Sequence, residues 1–379
     1  MRSRPHRLER LPQQYFTALL AQVSRYAALD GEALVDLGRG NPEVGPPQHV
    51  IDALAAAAND PSAHGYPPFR GLPALREAIA DRYSTLYGVE LDPHSEVTIV
   101  PGTKTTICEL SLVLAEGGST IVLPDPYYPD YPSGPALAGA RTGFVPLDPS
   151  AGWAPDFAAA PRDDVAAVFL NYPSNPCAVC APEGTFAAAI EYAHETGAAV
   201  IHDFAYGDIV FDGRMPSSFL AEPGAREVGV EMFSMSKTYG MAGWRLGFVV
   251  GNAEIVSRLD LLADHVRVGI FTPIQHAGIA ALTGPQDSVA ERVETYRRRR
   301  ERVREVLPDL ECEGSFYLWW QLPEGLTAER LLAEHRVAVA PGEGFGSRGA
   351  GWARLSLAVT DEVLETGLER LAAALEASS

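Results

Sequence analysis

The sequence predicts an α/β protein: a three-layer αβα large domain on a mostly parallel sheet, joined to a smaller α+β domain. Three observations carry this. Between residues 97 and 250, short β-rich runs alternate with helical stretches, the order that lays helices on both faces of a parallel sheet. Polar clusters fall just beyond the ends of those runs, where open α/β sheets hold their ligands. After Gly251 the alternation gives way to long helical patterning, short strands and a glycine-rich loop.

Taken in order, residues 8–29 carry apolar groups at helical spacing, with Tyr15, Phe16, Leu19, Leu20 and Val23 on one face. A short strand at 34–37 runs into Gly38-Arg39-Gly40-Asn41-Pro42, a turn whose backbone can approach a ligand. It is no dinucleotide fingerprint, because the third glycine is missing and Pro42, Pro46 and Pro47 forbid a following helix. Helices are expected at 48–58 and 73–87, the second with Pro73 in its first turn. Between them lies the loop 64–71, which holds Tyr66. A strand at 97–100 then meets Pro101-Gly102-Thr103-Lys104, a strand-to-helix junction that makes an anion site from helix N–H groups.

Further strands are expected at 120–123, 142–145, 166–170, 199–202, 228–234 and 246–250. Their ends carry Asp125-Pro126-Tyr127-Tyr128, the stretch from Asn171 to Asn175, that from Asp203 to Tyr206, and that from Ser234 to Lys237. A helical region at 253–307 contains the basic run 297–300, expected as a solvated face. Strands at 316–321, 337–340 and 352–357, the loop 341–351 and a helix from 361 complete the chain. The expected division is 1–45 as an N-terminal segment of the small domain, 46–270 as the large domain, and 271–379 as the rest of the small one.

The run 232–249 is the chemical centre. Lys237 stands between Ser234 and Ser236 and upstream of Arg245, with apolar flanks. A lysine amine is nucleophilic only when deprotonated, which burial or a cationic neighbour favours. Serine hydroxyls and an arginine fork suit a phosphate dianion.

A composition of 46% hydrophobic and 21% charged residues is that of an ordinary globular protein. The formal charge of −19 argues against binding nucleic acid or an anionic membrane. Four cysteines fit a reducing compartment, and a cytoplasmic enzyme is the expectation. Cys177 and Cys180 form a C-x-x-C, open to a redox or half-zinc reading. No second cysteine pair or suitably spaced histidine supports a metal, and none is expected. The basic N-terminus (Arg2, Arg4, Arg7) lacks an apolar signal core, and no stretch is long enough to span a bilayer.

Several collinear motifs carry a resemblance: Gly-x-Gly-x-Pro, Tyr-Pro-x-x-x-Gly-x-x-x-Leu-Arg, Gly-Thr-Lys, Asp-Pro-x-Tyr, Asn-x-Pro-x-Asn-Pro, Asp-x-x-Tyr, Ser-x-Ser-Lys and Trp-Arg-x-Gly. From Leu34 to Leu357 the chain resembles the class I/II aminotransferases, fold-type-I enzymes that use pyridoxal 5′-phosphate, and in texture the diaminopimelate and related broad-specificity members. The resemblance implies transfer of an amino group between an L-amino acid and a 2-oxo acid by ping-pong half-reactions. The same geometry also serves C–S β-lyases, and a non-catalytic sensor on this fold is a further, remoter alternative.

Residue roles follow from the match. Lys237 matches the Schiff-base lysine and proton shuttle, and Asp203 the carboxylate beneath the pyridine nitrogen. Asn175 and Tyr206 match the pair on the ring's phenolic oxygen. Tyr128 matches the stacked aromatic, with Tyr127 or Tyr131 as fallbacks. Thr103, Lys104, Ser234, Ser236 and Arg245 match the phosphate ligands. Tyr66 matches a tyrosine contributed by a neighbouring subunit, which implies a homodimer with shared sites. Arg354 matches the arginine that grips the substrate α-carboxylate, with the Gly40 backbone beside it and Tyr15 and Phe16 closing over it. Arg39 and Arg267 are open to two readings, an ordinary surface or ion-pair arginine and a group that reads an acidic substrate side chain. The chain departs from the family at Cys177-Ala178, where Thr-Gly is usual, so changed loop packing is expected there.

Overall fold

In the computed structural model, residues 4–29 and 33–378 are described; Arg2 lies outside them. The strands, in chain order, are β1 (Val35–Asp36), β2 (Val97–Val100), β3 (Thr120–Asp125), β4 (Arg141–Asp148), β5 (Ala154–Pro155), β6 (Val165–Asn171), β7 (Ala199–Asp203), β8 (Gly229–Ser234), β9 (Gly247–Gly251), β10 (Tyr317–Gln321), β11 (Val337–Ala338), β12 (Ala340–Pro341) and β13 (Trp352–Ser356).

The large sheet has the order β2-β9-β8-β7-β6-β3-β4-β5. Strands β4, β3, β6, β7 and β8 run parallel; β9 is antiparallel to both its neighbours, and β5 pairs antiparallel at the edge. Every residue of β3 and β8 is buried, as helices on both faces of a parallel sheet require. In-register pairing sets Asn171 beside Asp203 at the carboxyl ends of β6 and β7. Ser234 ends β8, so three polar strand ends lie along one rim.

A second, antiparallel sheet, β10-β13-β12, holds Arg354 opposite Trp319 and Ala340. The N-terminal segment joins it: β1 pairs in parallel with β11, and Val35 and Leu37 share a buried cluster with Leu364, Leu368 and Leu371 of the last helix. That helix, Asp361–Ser378, packs its apolar stripe on β1.

Four expectations need correction. The N-terminal helix is two, His6–Glu9 and Tyr15–Ala27; Pro12 lies between them, and proline opposes a continuous helix. Region 253–307 is three helices, Ala253–Val266, Thr272–Thr283 and Asp287–Arg304, the first break containing Gly269 at φ +84°. Of these, Thr272–Thr283 packs on the helices Gln48–Ala58 and Pro73–Tyr87 rather than on the smaller sheet. The basic run is only half a solvated face: Arg298 is exposed and Arg297 half-exposed, whereas Arg299 and Arg300 are 7% and 1% exposed. Arg299 pairs with Glu43 and Asp361, and Arg300 with Asp212 and Glu301. Among the described residues, no helix is long and apolar enough to cross a membrane.

Candidate active site

A cavity of about 280 Å³ opens where the strand ends of the large sheet meet β13 and the N-terminal helix Tyr15–Ala27. Lys237 sits on the single turn Met235–Thr238 that follows β8 directly. The Ser234 hydroxyl caps that turn, accepting the Ser236 N–H at 3.2 Å. The Lys237 ammonium lies 3.3 Å from the Gly40 carbonyl and 5.5 Å above the Phe316 ring. Burial holds its pKa below the usual lysine value; the nearby charges of Arg354 and Arg245 act in the same direction. A neutral, nucleophilic amine is thereby favoured.

Asp203, at the end of β7, is 6% exposed. The Tyr131 hydroxyl donates to it at 2.8 Å and the Ala205 N–H at 3.3 Å. Burial pushes its pKa up to about 6, opposed by the Tyr131 hydrogen bond and the neighbouring His202. The Asn171 amide donates to the Asp203 carbonyl at 2.8 Å and accepts the Asn175 N–H at 2.7 Å, tying the two strand-end loops together. Tyr206 is buried and hydrogen-bonded to Tyr317, and burial lifts its pKa well above that of a free phenol.

Arg354 has no exposed surface. It donates to Asn175 Oδ1 at 2.9 Å and to the Gly38 carbonyl at 3.0 Å, and its guanidinium stands 3.9 Å from the Tyr317 ring centre. Among the described residues its Nε has no partner, and neither hydrogen-bonded partner is charged. A buried cation held only by neutral acceptors suits an incoming carboxylate.

The phosphate end is built on Gly102, at φ +83°, which opens the helix Thr103–Leu114. A Cβ there would stand 2.4 Å from Arg245 Nη2, so glycine is what lets the guanidinium lie against the helix start. Thr103, Lys104 and Ser234 line the cavity; Ser236 and Arg245 do not. The Lys104 ammonium turns to Asp130 at 2.8 Å, and the Arg245 guanidinium lies against the positive start of the helix at Gly102.

The remaining expected residues separate. Tyr128 lines the cavity, whereas the two fallbacks do not: Tyr127 stacks on Phe144, and Tyr131 holds Asp203. Phe16 lines the cavity with Leu19, Leu20 and Val23; Tyr15 does not, its hydroxyl being spent on the Pro341 carbonyl at 2.8 Å. Gly40 has no room for a side chain, since a Cβ would fall 1.8 Å from the Tyr317 hydroxyl. Arg39 is at the cavity wall, but Arg267 is not: it pairs with Glu109 at 3.2 Å and with the Ile99 carbonyl at 2.9 Å. Tyr66 is 87% exposed and outside the cavity of its own chain. Cys177 is buried, and the Cys180 N–H donates to Glu313 at 3.0 Å. Ala178 adopts φ +61°, in the place of the family's usual glycine.

Sequence reasoning missed Tyr317 as a wall of the site and Tyr131 as the partner of Asp203. The signal for Tyr317 lay in Gly40, whose missing side chain has a use only once the facing phenol is known.

Against known proteins, the model for "Aminotransferase class I and II" matches residues 32–371. The chain belongs to that family. An L-glutamine–4-(methylsulfanyl)-2-oxobutanoate aminotransferase of Bacillus subtilis is 40% identical, over 97% of this chain and 95% of that protein. An LL-diaminopimelate aminotransferase of Moorella thermoacetica is 39% identical, over 96% of each. Substrate-bound BacF from Bacillus subtilis superimposes with a TM-score of 0.92 at 36% identity, covering 99% of this chain and 98% of that one. The protein is therefore an aminotransferase, acting on amino acids and 2-oxo acids, and its family implies pyridoxal phosphate.

Proposed function

We propose that this aminotransferase holds pyridoxal 5′-phosphate in the cavity described, with Lys237 as the residue that anchors it and moves the proton. The observation that carries the reading is a buried lysine, its pKa lowered, in one cavity with a buried carboxylate and a buried arginine that has no charged partner. The residues present fit the cofactor. The start of the helix Thr103–Leu114, Ser234, Ser236 and Arg245 suit its phosphate, Asp203 its pyridine nitrogen, Asn175 and Tyr206 its phenolic oxygen, and Tyr128 its ring face. When bound, the cofactor supplies an electron sink for the charge left on the substrate Cα.

The chain's own residues do the rest. Arg354 grips the substrate α-carboxylate, and the Gly38–Gly40 backbone closes beside it, fixing the Cα–H bond relative to Lys237. As a neutral amine, Lys237 Nζ is placed to take the proton from the substrate Cα and hold it. Asp203, ionised above about pH 6 in the protein alone, would stabilise positive charge on a ring nitrogen held against it. Phe16, Leu19, Leu20 and Val23 form an apolar wall that excludes water and favours a largely apolar substrate side chain. Arg39 at its edge is placed to meet a distal carboxylate or amide.

The reading extends to a cytoplasmic homodimer in which Tyr66 of each chain completes the phosphate site of the other, in keeping with its 87% exposure. The smaller domain is proposed to comprise the N-terminal segment together with the strands and helices around β10–β13. The test mixes two inactive or weakened variants, Lys237→Ala and Tyr66→Ala, at limiting cofactor. A shared site restores about a quarter of the wild-type rate, because half the dimers are mixed and each has one intact site. Activity no greater than the sum of the separate variants overturns the shared site.

A further inference from the structure

Behind Asp203 lies a second polar cluster that takes no part in the chemistry above. His202, the residue before Asp203 on β7, has no exposed surface, and neither has Glu231 beside it on β8. The two side chains meet at 2.7 Å through Nδ1 and Oε2, and Nε2 stands 3.0 Å from the Tyr172 carbonyl. Both ring nitrogens therefore face oxygens that accept. A neutral imidazole has one N–H and one lone pair, so it would set its lone pair against an acceptor in a dry interior.

Glu231 is surrounded by further donors. Its two oxygens also receive the Tyr83 hydroxyl at 2.6 Å, the Ser218 hydroxyl at 3.0 Å and the Phe219 N–H at 2.8 Å. Phe186, Phe204 and Phe219 wall the histidine in, with ring centres 5.0, 5.1 and 6.4 Å away. The titratable and charged groups facing this cluster are Glu231 from β8, Asp203 from β7 itself, and Tyr83 and Tyr87 from the helix Pro73–Tyr87. Beyond them lies the Arg82–Asp208 pair, whose charges offset each other. Without a positive histidine, Asp203 and Glu231 would be two buried carboxylates on adjacent strands with only Lys237 nearby on the Asp203 side.

We propose that His202 is a fixed imidazolium, doubly protonated between Glu231 and the Tyr172 carbonyl, and that it acts as a positioning residue keeping Asp203 ionised. It does this in two ways. Its charge favours the Asp203 carboxylate from the neighbouring position, and burial alone opposes that carboxylate. Its Nε2–H holds Tyr172, which begins the loop through Asn175, and Asn175 in turn holds Arg354. His202 touches neither substrate nor cofactor. The consequence for catalysis rests on the proposed role of Asp203; the protonation state does not.

The test is nuclear magnetic resonance on the full-length protein with ¹⁵N-histidine and ¹³C-carboxyl-aspartate labels, with and without pyridoxal phosphate. In the wild type, both His202 ring nitrogens are expected to show protonated-type shifts, as two facing acceptors require. One nitrogen at the unprotonated shift overturns the proposal, whatever the activity. In His202→Gln, which keeps a hydrogen-bond donor and loses the charge, the Asp203 carboxyl is expected to titrate at least tenfold less acidic in the protein without cofactor. If His202→Gln does not fold, Glu231→Gln is expected to leave one ring nitrogen at the unprotonated shift. An Asp203 midpoint unchanged in folded His202→Gln, or a ring still doubly protonated in Glu231→Gln, overturns the coupling. Failure of transamination with these spectra intact would instead count against the role assigned to Asp203.

Discussion

At the scale of single residues, the site depends on what burial does to charge. Asp203 binds its proton more tightly in the folded chain than in the unfolded one, its pKa standing at about 6 against 3.8. The folded state therefore holds more protons between those values, and its stability falls as pH rises through that window. Two units correspond to about 3 kcal/mol, an upper bound for one carboxyl group. In the protein without cofactor, Asp203→Asn should remove most of that decline between about pH 4 and pH 6, read as the difference from wild type in denaturant unfolding. Parallel curves for the two proteins would contradict the assignment. Lys237, Asp203, Asn175, Tyr206 and Arg354 were legible in the sequence because each sits in a short motif of distinctive residue types. Tyr317 and Tyr131 were not, because their importance comes from facing Gly40 and Asp203 across the fold, and no local pattern records that. Arg267 takes the ion-pair reading that stood beside the substrate one; its partner Glu109 is remote in sequence and close only in space, so the sequence did not name it.

At the scale of elements, the strand-to-helix junction at Gly102 was readable as a candidate anion site from its glycine, hydroxyl and lysine at a helix start, a pattern shared by many junctions that bind nothing. What could not be read was the crossing of Arg245 over the glycine. Gly102→Ala would meet two penalties, a side chain at φ +83° and a Cβ at 2.4 Å from the guanidinium. We expect pyridoxal phosphate affinity to fall about tenfold, with about 1 kcal/mol of stability lost. Unchanged affinity by cofactor titration would mean that the helix start and Arg245 do not form the phosphate site. Strands β3, β6, β7 and β8 were found with boundaries close to those expected, because continuous apolar runs mark doubly covered strands. The short pairings β11 and β12 merged into one expected strand, since a few apolar residues carry no sign of which neighbour they will pair with.

At the scale of the whole molecule, the N-terminal segment, the helix Asp287–Arg304 and the last helix are tied together by Arg299. It pairs with Glu43 and Asp361 and donates to the Leu357 carbonyl at 2.9 Å. A run of four arginines reads as a solvated face, because sequence shows charge but not the acids waiting on other elements. Arg299→Ala leaves Glu43 without its cation, while Asp361 keeps Arg298 at 2.9 Å, and should cost about 2 kcal/mol in denaturant unfolding. A loss below about 0.5 kcal/mol would show the network to be incidental. Its removal should also weaken substrate binding, since Glu43 follows the Gly38–Gly40 turn that lines the cavity.

The claim on which the account turns is that Lys237 and its cavity run a two-step amino transfer. The direct measurement is the absorbance of the purified, cofactor-loaded protein as an L-amino donor is added, followed by a 2-oxo acid. The account predicts loss of the imine band with the donor, its return with the acceptor, and neither change in Lys237→Ala. A band that is lost and never returns, with release of pyruvate and ammonia, would contradict it.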